Sequence, residues 1–169
     1  MASSATAGRK RSAATTVDPA ARVLRRFRTV FSAVRNHFRS VEKSAGISGA
    51  QVWALSQVAA HPGVGVGQLA RAMDIHQSTA SNLVRTLLEA KLVVSEKGET
   101  DRRAVHLHAT ARGLKILAKA PAPLTGLLPD ALQRLDPATL QRMDRDLARL
   151  IRELKADPEA ANVLIGGGD

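Results

Sequence analysis

Residues 66–93 read VGQLARAMDIHQSTASNLVRTLLEAKLV, and this segment predicts a helix-turn-helix. This motif needs a small residue where two helices cross, a turn residue that tolerates positive φ, and apolar positions around both. Ala70 is the small residue, and Asp74 is at the turn, where Asp is among the few non-glycine types that accept positive φ. The spacing predicts helices at about 66–73 and 77–90. Apolar residues line their inner faces: Leu69, Met73, Ile75, Ala80, Leu83 and Leu87.

The outward face of the second helix has the composition of a DNA-reading surface. It carries short hydrogen-bonding side chains and one cation, where Lys and Glu would better suit a merely solvated helix. Gln and Asn can address adenine edges, Ser and Thr can contact bases or phosphates, and Arg can contact guanine or phosphate. The helix N-terminus can also donate to a phosphate. The predicted contact residues are Gln77, Ser78, Thr79, Ser81, Asn82 and Arg85.

A β-hairpin is predicted after the second helix. Two strand-like segments at about 92–96 and 104–108 are joined by the polar loop KGETDR. Asp101 is placed to orient an arginine through a charge-assisted hydrogen bond, and an arginine at such a tip suits a narrow minor groove. The cations that the tip presents are Lys97, Arg102 and Arg103.

Further helices are predicted on both sides of this unit. Asp18 and Pro19 start a long helix that Gly46 ends, and Ser48 caps the next one. Thr110 starts a helix that Pro121 and Pro123 break. A last helix opens at residues 136–137, with apolar residues that alternate three and four apart, as in a coiled-coil seam. These are Leu140, Met143, Leu147, Leu150 and Leu154.

The element order predicts a mainly α protein with a small β-hairpin wing, a winged helix-turn-helix. The first and last helices are apolar along stripes that a small central domain can hardly cover, so dimerisation through the N- and C-terminal helices is expected. The alternative, that these helices pack on each other within one chain, stays open. The predicted parts are a disordered basic tail at 1–17, dimerisation helices at 18–46 and 111–157, the DNA-binding domain at 47–110 and a flexible tail at 158–169.

Composition limits the classes of function. The chain has 169 residues, a net charge of +10 and a pI of about 11.2, which favours a polyanionic partner, nucleic acid before an anionic membrane surface. No cysteine is present, which excludes disulfides and thiolate metal sites. Only three Phe and one Trp are present, too few for a single-strand binder that stacks bases on rings. No apolar run reaches membrane-spanning length and no secretory signal is recognisable, so a cytoplasmic protein is expected.

Other chemistry finds little support in the sequence. His106 and His108 share one side of a strand, but such a pair is more often the solvated side of a hairpin than a metal site without a third ligand. No nucleophile elbow, zinc-protease or phosphate-loop pattern occurs. We therefore expect no catalysis, no metal and no cofactor. The basic cluster at 9–11 is either inert or an arm that adds phosphate contacts.

The spacing D-x-R-x-x-x-L-x-x-T, formed by Asp101, Arg103, Leu107 and Thr110, resembles the signature of the MarR family of bacterial transcription regulators. The resemblance implies a homodimer with interleaved terminal helices and a pseudo-palindromic operator on double-stranded DNA. It also implies that Arg103 enters the minor groove while Asp101 braces it. Lys91 departs from the family, which usually has Gly there; if that turn needs positive φ, the departure costs on the order of 1 kcal/mol.

The same resemblance implies release of DNA by a small aromatic, often phenolic, ligand bound between the dimerisation helices and the DNA-binding lobe. Candidate pocket residues are Phe31, His37, Phe38 and Trp53, which are equally ordinary core residues. Two rival functions remain. One is a non-specific architectural DNA-binding protein, and the other is a sensor whose output is a protein contact rather than DNA.

Overall fold

The structure is a computed structural model that describes residues 18–97 and 105–157. It is mainly helical, with one two-stranded antiparallel sheet in the described residues. None of the helices in these two ranges is both long and apolar enough to cross a bilayer. In chain order the elements are α1 (Pro19–Ala45), α2 (Gly49–Ala60), α3 (Val66–Met73), α4 (Gln77–Glu89), β1 (Val93–Lys97), β2 (Val105–Ala109), α5 (Ala111–Leu117), α6 (Leu127–Gln133) and α7 (Pro137–Leu154).

Helix ends are where capping chemistry predicts them. The Asp18 side chain accepts from the amide of Ala20 at 3.1 Å, and Gly46 ends α1 with φ of 72°. Ser48 and Gln51 form a reciprocal capping box at the start of α2, with distances of 3.3 and 2.8 Å. These contacts satisfy amides that a helix leaves without intrahelical partners, and they fix where each chain segment turns.

Two left-handed residues end α3 and α4. Asp74 has φ of 52°, which confirms the turn predicted between the two helices, and Lys91 has φ of 56°. After α4 the amide of Leu92 donates to the carbonyl of Leu87 at 2.9 Å, and that of Lys91 donates to Leu88 at 2.9 Å. This is a Schellman ending, which normally favours Gly at the left-handed position. The turn at Lys91 therefore does need positive φ.

The hairpin is anchored at its base to the loop between α2 and α3. Ser95 pairs with Leu107 in the β1–β2 ladder. β1 begins one residue later than predicted, and β2 extends one residue beyond its predicted end. Leu107 also exchanges hydrogen bonds with that loop: it donates to the carbonyl of Val64 at 3.1 Å and accepts from the amide of Gly63 at 2.8 Å. The loop thus acts as a short third strand, which sequence periodicity did not indicate.

One apolar core joins α2, α3, α4 and the hairpin. The helix-turn-helix residues predicted to face inward belong to it, with Leu83 only partly buried. The largest fully buried side chains of this core are Leu55, Leu69, Met73, Leu87, Leu92 and Leu107. Because α4 contributes to this core along one whole side, its opposite side is held in a fixed orientation.

The start of α5 packs unusually close to the end of α4. The hydroxyl of Thr110 donates to the carbonyl of Lys91 at 2.9 Å and accepts from the amide of Gly113 at 3.0 Å. A Cβ at Gly113 would lie 2.3 Å from the carbonyl oxygen of Leu92 and 3.1 Å from Cδ1 of Leu55. Only glycine permits this approach without displacing the backbone.

The prediction missed α6, since no helix was predicted between Pro123 and Asp136. Pro129 is the third residue of α6, in the first turn, where its missing N–H would have no intrahelical partner anyway. This short helix packs against α1 and helps to close a cavity beside it.

The outer helices keep much of their apolar surface exposed in the single chain. Within α7, which is fully described, no residue is buried, and Leu147, Ile151 and Leu154 are 39 %, 43 % and 66 % exposed. On α1, Val23 and Phe31 are 51 % and 56 % exposed. The alternative of α1 and α7 covering each other within one chain therefore does not account for these stripes.

Candidate nucleic-acid interface

The outward side of α4 presents the residues predicted for DNA contact. Gln77, Ser78, Ser81, Asn82 and Arg85 are all exposed, and Thr79 is half-buried at the edge. The side chains that anchor the helix lie on its other side, where Ala80, Val84 and Leu87 are buried. At 3.6 residues per turn, the centre of the exposed side runs through Ser78, Asn82 and Arg85, which are four and three residues apart.

The hydrogen bonds made by α4 side chains determine which of its polar groups remain available to contact DNA. The Ser81 hydroxyl donates to the carbonyl of Gln77 at 2.8 Å, so its lone pairs remain free to accept. Thr86 accepts from the Gln51 side-chain amide at 3.1 Å, which ties α4 to the start of α2. Within the described residues, the side chain of the N-cap residue His76 does not cap the first-turn amides of α4. Those amides can therefore donate to a phosphate.

Sequence interpretation omitted one member of this surface. Glu89 is exposed at the C-terminal end of α4, on the same side as Asn82 and Arg85. A carboxylate can accept from the amino group of cytosine, and it repels phosphates. The helical spacing of seven residues between Asn82 and Glu89 was the signal that would have found it.

The contact residues predicted at the tip of the wing are not among those that the structure describes. Asp101, Arg102 and Arg103 lie outside the described residues, as does the side chain of Lys97. The strands that lead to the tip are described, and their root is fixed to the helix-turn-helix core by Leu107. The predicted minor-groove contact and its aspartate brace therefore stay predictions.

The two hairpin histidines have different partners. Nδ1 of His106 is 2.9 Å from the carbonyl oxygen of Gly63, and because a carbonyl only accepts, this nitrogen carries the hydrogen. Nε2 of His108 is 3.7 Å from a carboxylate oxygen of the exposed Glu96. Among residues 18–97 and 105–157 no group of three metal-ligating side chains is close enough to hold a metal ion. Within that part of the chain, His106 serves as an anchor of the wing.

An apolar cavity of about 160 Å³ lies between α1, α2 and α6. Three of the four predicted pocket residues, His37, Phe38 and Trp53, line it, together with Leu128 and Leu132. Phe31 does not line this cavity; its ring is stacked on Phe27 with centroids 6.0 Å apart. The contribution from residues 124–132 was not predicted, because that wall belongs to the connection into α6 and to α6 itself.

Trp53 lines this cavity and carries a polar atom that has almost no accessible surface. Its indole Nε1 is buried, and it has no hydrogen-bond partner among the described residues. A buried donor without an acceptor costs about 1–3 kcal/mol. The remaining lining is almost entirely apolar.

Comparison with known proteins places this arrangement in a family. A family model described as the MarR family matches residues 45–104. A protein of Thauera aromatica, named for transcriptional regulation of the hcr operon, is 31 % identical over 132 residues, which cover 78 % of either chain.

Solved structures share the fold at lower identity. Streptococcus pneumoniae FabT, solved in complex with DNA, is 18 % identical, with 80 % of this chain and 97 % of that chain covered and a TM-score of 0.54. The structure of MarR is 22 % identical, with 78 % of this chain and 96 % of that chain covered and a TM-score of 0.50. The relative, the family match and the winged helix-turn-helix agree: the chain belongs to the MarR family of DNA-binding transcriptional regulators.

Proposed function

We propose that this regulator is a homodimer that recognises a pseudo-palindromic operator in double-stranded DNA and represses transcription there. The observation that carries base recognition is the exposed side of α4, where neutral hydrogen-bonding side chains outnumber cations. Ser78 and Asn82 gain little from phosphate attraction, whereas base edges in the major groove offer them specific partners. Repression follows because a dimer that occupies the duplex excludes other proteins from it.

The same surface argues against the architectural alternative. A non-specific binder needs several cations facing the duplex, since phosphate neutralisation supplies nearly all of its affinity. On α4 the exposed cation is Arg85, and Glu89 lies one turn further along. A helix with that balance gains most of its binding energy from base edges rather than from charge.

The exposed apolar stripes support the dimer. Leu147, Leu150 and Leu154 on α7, with Val23 and Phe31 on α1, are at least 37 % exposed in the single chain. Burying them against a second copy stabilises the assembly by roughly 25 cal/mol per Å² of apolar surface. A two-fold dimer presents two α4 helices, and half-sites about one helical turn apart, ~10 base pairs, match that symmetry.

The test of base recognition compares variants on two duplexes. One duplex is selected by the wild-type protein from a random library, and the other has the same bases in scrambled order. Asn82→Ala is expected to lose about 1–3 kcal/mol on the selected duplex and almost nothing on the scrambled one, because a base contact is lost. Arg103→Ala is expected to weaken binding to both, because a minor-groove cation attracts any duplex.

Gln141→Ala on α7 is the matched control, since Gln141 is also exposed but lies outside both the helix-turn-helix and α1. It should leave both affinities unchanged. Equal losses on both duplexes from Asn82→Ala would refute direct base recognition by α4.

We further propose that a small aromatic acceptor-bearing molecule occupies the cavity beside Trp53 and weakens DNA binding. A volume of about 160 Å³ suits one aromatic ring, since a dry cavity of about 150 Å³ holds benzene. His37 supplies a polar side chain at the wall, and Nε1 of Trp53 would donate to an oxygen on the ring after a small shift of the indole exposes it. Coupling to DNA has a structural route, because α2 contacts both the cavity and α4.

Trp53 is the only tryptophan in the sequence, so its fluorescence reports directly on this cavity. Titration with benzoate and with phenol should shift its emission, and DNA affinity should fall by the same factor by which DNA lowers ligand affinity. Filling the cavity with Leu132→Phe should abolish the titration while Leu135→Phe, outside the cavity, keeps it. An emission spectrum that neither probe changes at saturating concentration would refute the proposed pocket.

A further inference from the structure

The net charge of +10 is distributed unevenly along the sequence. Residues 47–110, which contain α4 and the hairpin, have six Lys and Arg against five Asp and Glu, a net charge of +1. Residues 18–46 have seven Lys and Arg against two Asp and Glu, a net charge of +5. Residues 111–157 have nine Lys and Arg against six Asp and Glu, a net charge of +3. Most of the attraction for a polyanion therefore originates outside the helix-turn-helix.

The strongest concentration is on α1. At 100° per residue, its apolar stripe of Val34, Phe38 and Val41 packs towards α2 and α6, and the arginines occupy the sides of the helix that the stripe leaves free. We call these residues the arginine face, and all of them are exposed: Arg22, Arg25, Arg26, Arg28, Arg35 and Arg39.

Among the described residues, no carboxylate neutralises the arginine face. Within residues 18–97 and 105–157, no carboxylate forms an ion pair with any of the six arginines. Arg22, Arg25 and Arg26 lie in the first turns of α1, where the positive end of the helix dipole disfavours cations, and no acidic residue is in the first turn. At this end of a helix the dipole offers the arginines no stabilisation, whereas an external anion would stabilise them.

We propose that the arginine face of α1 binds the phosphate backbone of duplex DNA without regard to base sequence. The proposal rests on DNA binding by this family member, and it adds a contact surface separate from α4. Guanidinium groups pair with phosphate oxygens through two hydrogen bonds, which the single ammonium of α1, on Lys43, cannot do. The arginine face extends about 26 Å along the helix, enough to contact phosphates over roughly seven base pairs.

A membrane surface fits the arginine face less well. A helix that lies on a bilayer inserts an apolar side between the headgroups. Around the helix, the positions between the arginines carry small or polar residues, whereas the exposed apolar Val23 and Phe31 belong to the stripe proposed for the dimer. The small or polar residues are Ser32, Ala33, Asn36 and Ser40, all exposed. Half of the apolar side is instead engaged with α2 and α6, where Val34 and Val41 are buried. Duplex DNA, which needs cations alone, is the partner that this composition favours.

The test measures the salt dependence of binding to a random duplex of about 30 base pairs. The full chain and the variant Arg22→Gln/Arg25→Gln/Arg26→Gln are titrated between about 50 and 200 mM salt. The slope of log affinity against log salt should fall in magnitude by about 2–3 for each engaged α1, because three phosphate contacts are lost. The preference for a selected duplex over the random one should be unchanged, because these arginines contact no bases.

The matched control is Arg145→Gln/Arg149→Gln/Arg152→Gln on α7, which removes the same charge from exposed positions that have Asp144 and Asp146 beside them. It should change the slope by less than about 1. An unchanged slope in the α1 variant, or equal changes in both variants, would overturn the proposal.

Three further results separate the alternatives. If the α1 variant sediments as a monomer, the arginines pair with the other subunit, and the proposal is wrong. If it loses binding to vesicles of phosphatidylcholine and phosphatidylglycerol while its DNA slope is unchanged, the partner is a membrane. If the wild type binds every duplex equally, base recognition by α4 fails, while a slope that depends on the arginine face still supports this inference.

Discussion

Lys91 is a residue whose backbone conformation is strained by its side chain. Its φ of 56° ends α4 in a position that Gly occupies at little cost. Lys91→Gly is therefore expected to raise the free energy of unfolding by about 0.5–1 kcal/mol, the relieved strain exceeding the added entropy of the unfolded chain. Urea denaturation measures the change. Asp74→Gly, at the same type of turn, should gain less because Asp tolerates positive φ; a loss of stability in Lys91→Gly would contradict the explanation.

Gly113 is the opposite case, a residue required by close packing. Gly113→Ala is expected to lower the free energy of unfolding by about 1–3 kcal/mol, because its Cβ meets a backbone carbonyl that cannot move aside without disturbing the end of α4. Gly67→Ala in α3 is the control, since a Cβ there has only the end of the Arg71 side chain nearby, at 3.9 Å. That control should stabilise the protein by about 0.5–1 kcal/mol. Equal effects of the two changes would show that packing at Gly113 is unimportant.

At the scale of elements, the hairpin depends on one side-chain anchor. His106 holds the root of the wing to Gly63, whereas His108 faces an exposed carboxylate at a distance that contributes little. His106→Ala should weaken binding to every duplex by roughly twofold to tenfold, because the wing loses its fixed position while α4 keeps its own. His108→Ala is the comparison and should change affinity far less. Loss of base preference in His106→Ala would instead indicate that the wing orients α4.

The whole molecule is expected to depend on the terminal helices for assembly. Leu147→Glu on α7 should raise the dimer dissociation constant by more than about 100-fold, since an unpaired carboxylate would be buried in the interface. Leu135→Glu, at an almost identical exposure of 38 % against 39 %, is the control outside the α7 stripe. Sedimentation velocity measures both. A Leu147→Glu protein that remains dimeric would place the interface elsewhere.

Features of the fold could be predicted from the sequence where the interacting residues lie close together along the chain. Caps, turns and the inner face of α4 depend on residues within one or two turns of each other, so Ser48, Asp74 and Leu87 were assigned correctly. The bridge between Val64 and Leu107 joins residues far apart in sequence, and periodicity carries no signal for it. The wall of the cavity built by α6 was missed for a similar reason, because its contact with α1 joins residues about 90 positions apart in sequence.

Recognition of base sequence by α4 can be measured as a ratio of two DNA affinities. Affinity is measured at about 150 mM salt for the duplex that the wild-type protein selects and for its scrambled counterpart. A ratio of about 10³ or more is expected, as specific binders show at that salt. A ratio near one would contradict this expectation, because the neutral side chains around Asn82 would then contribute nothing that distinguishes one duplex from another.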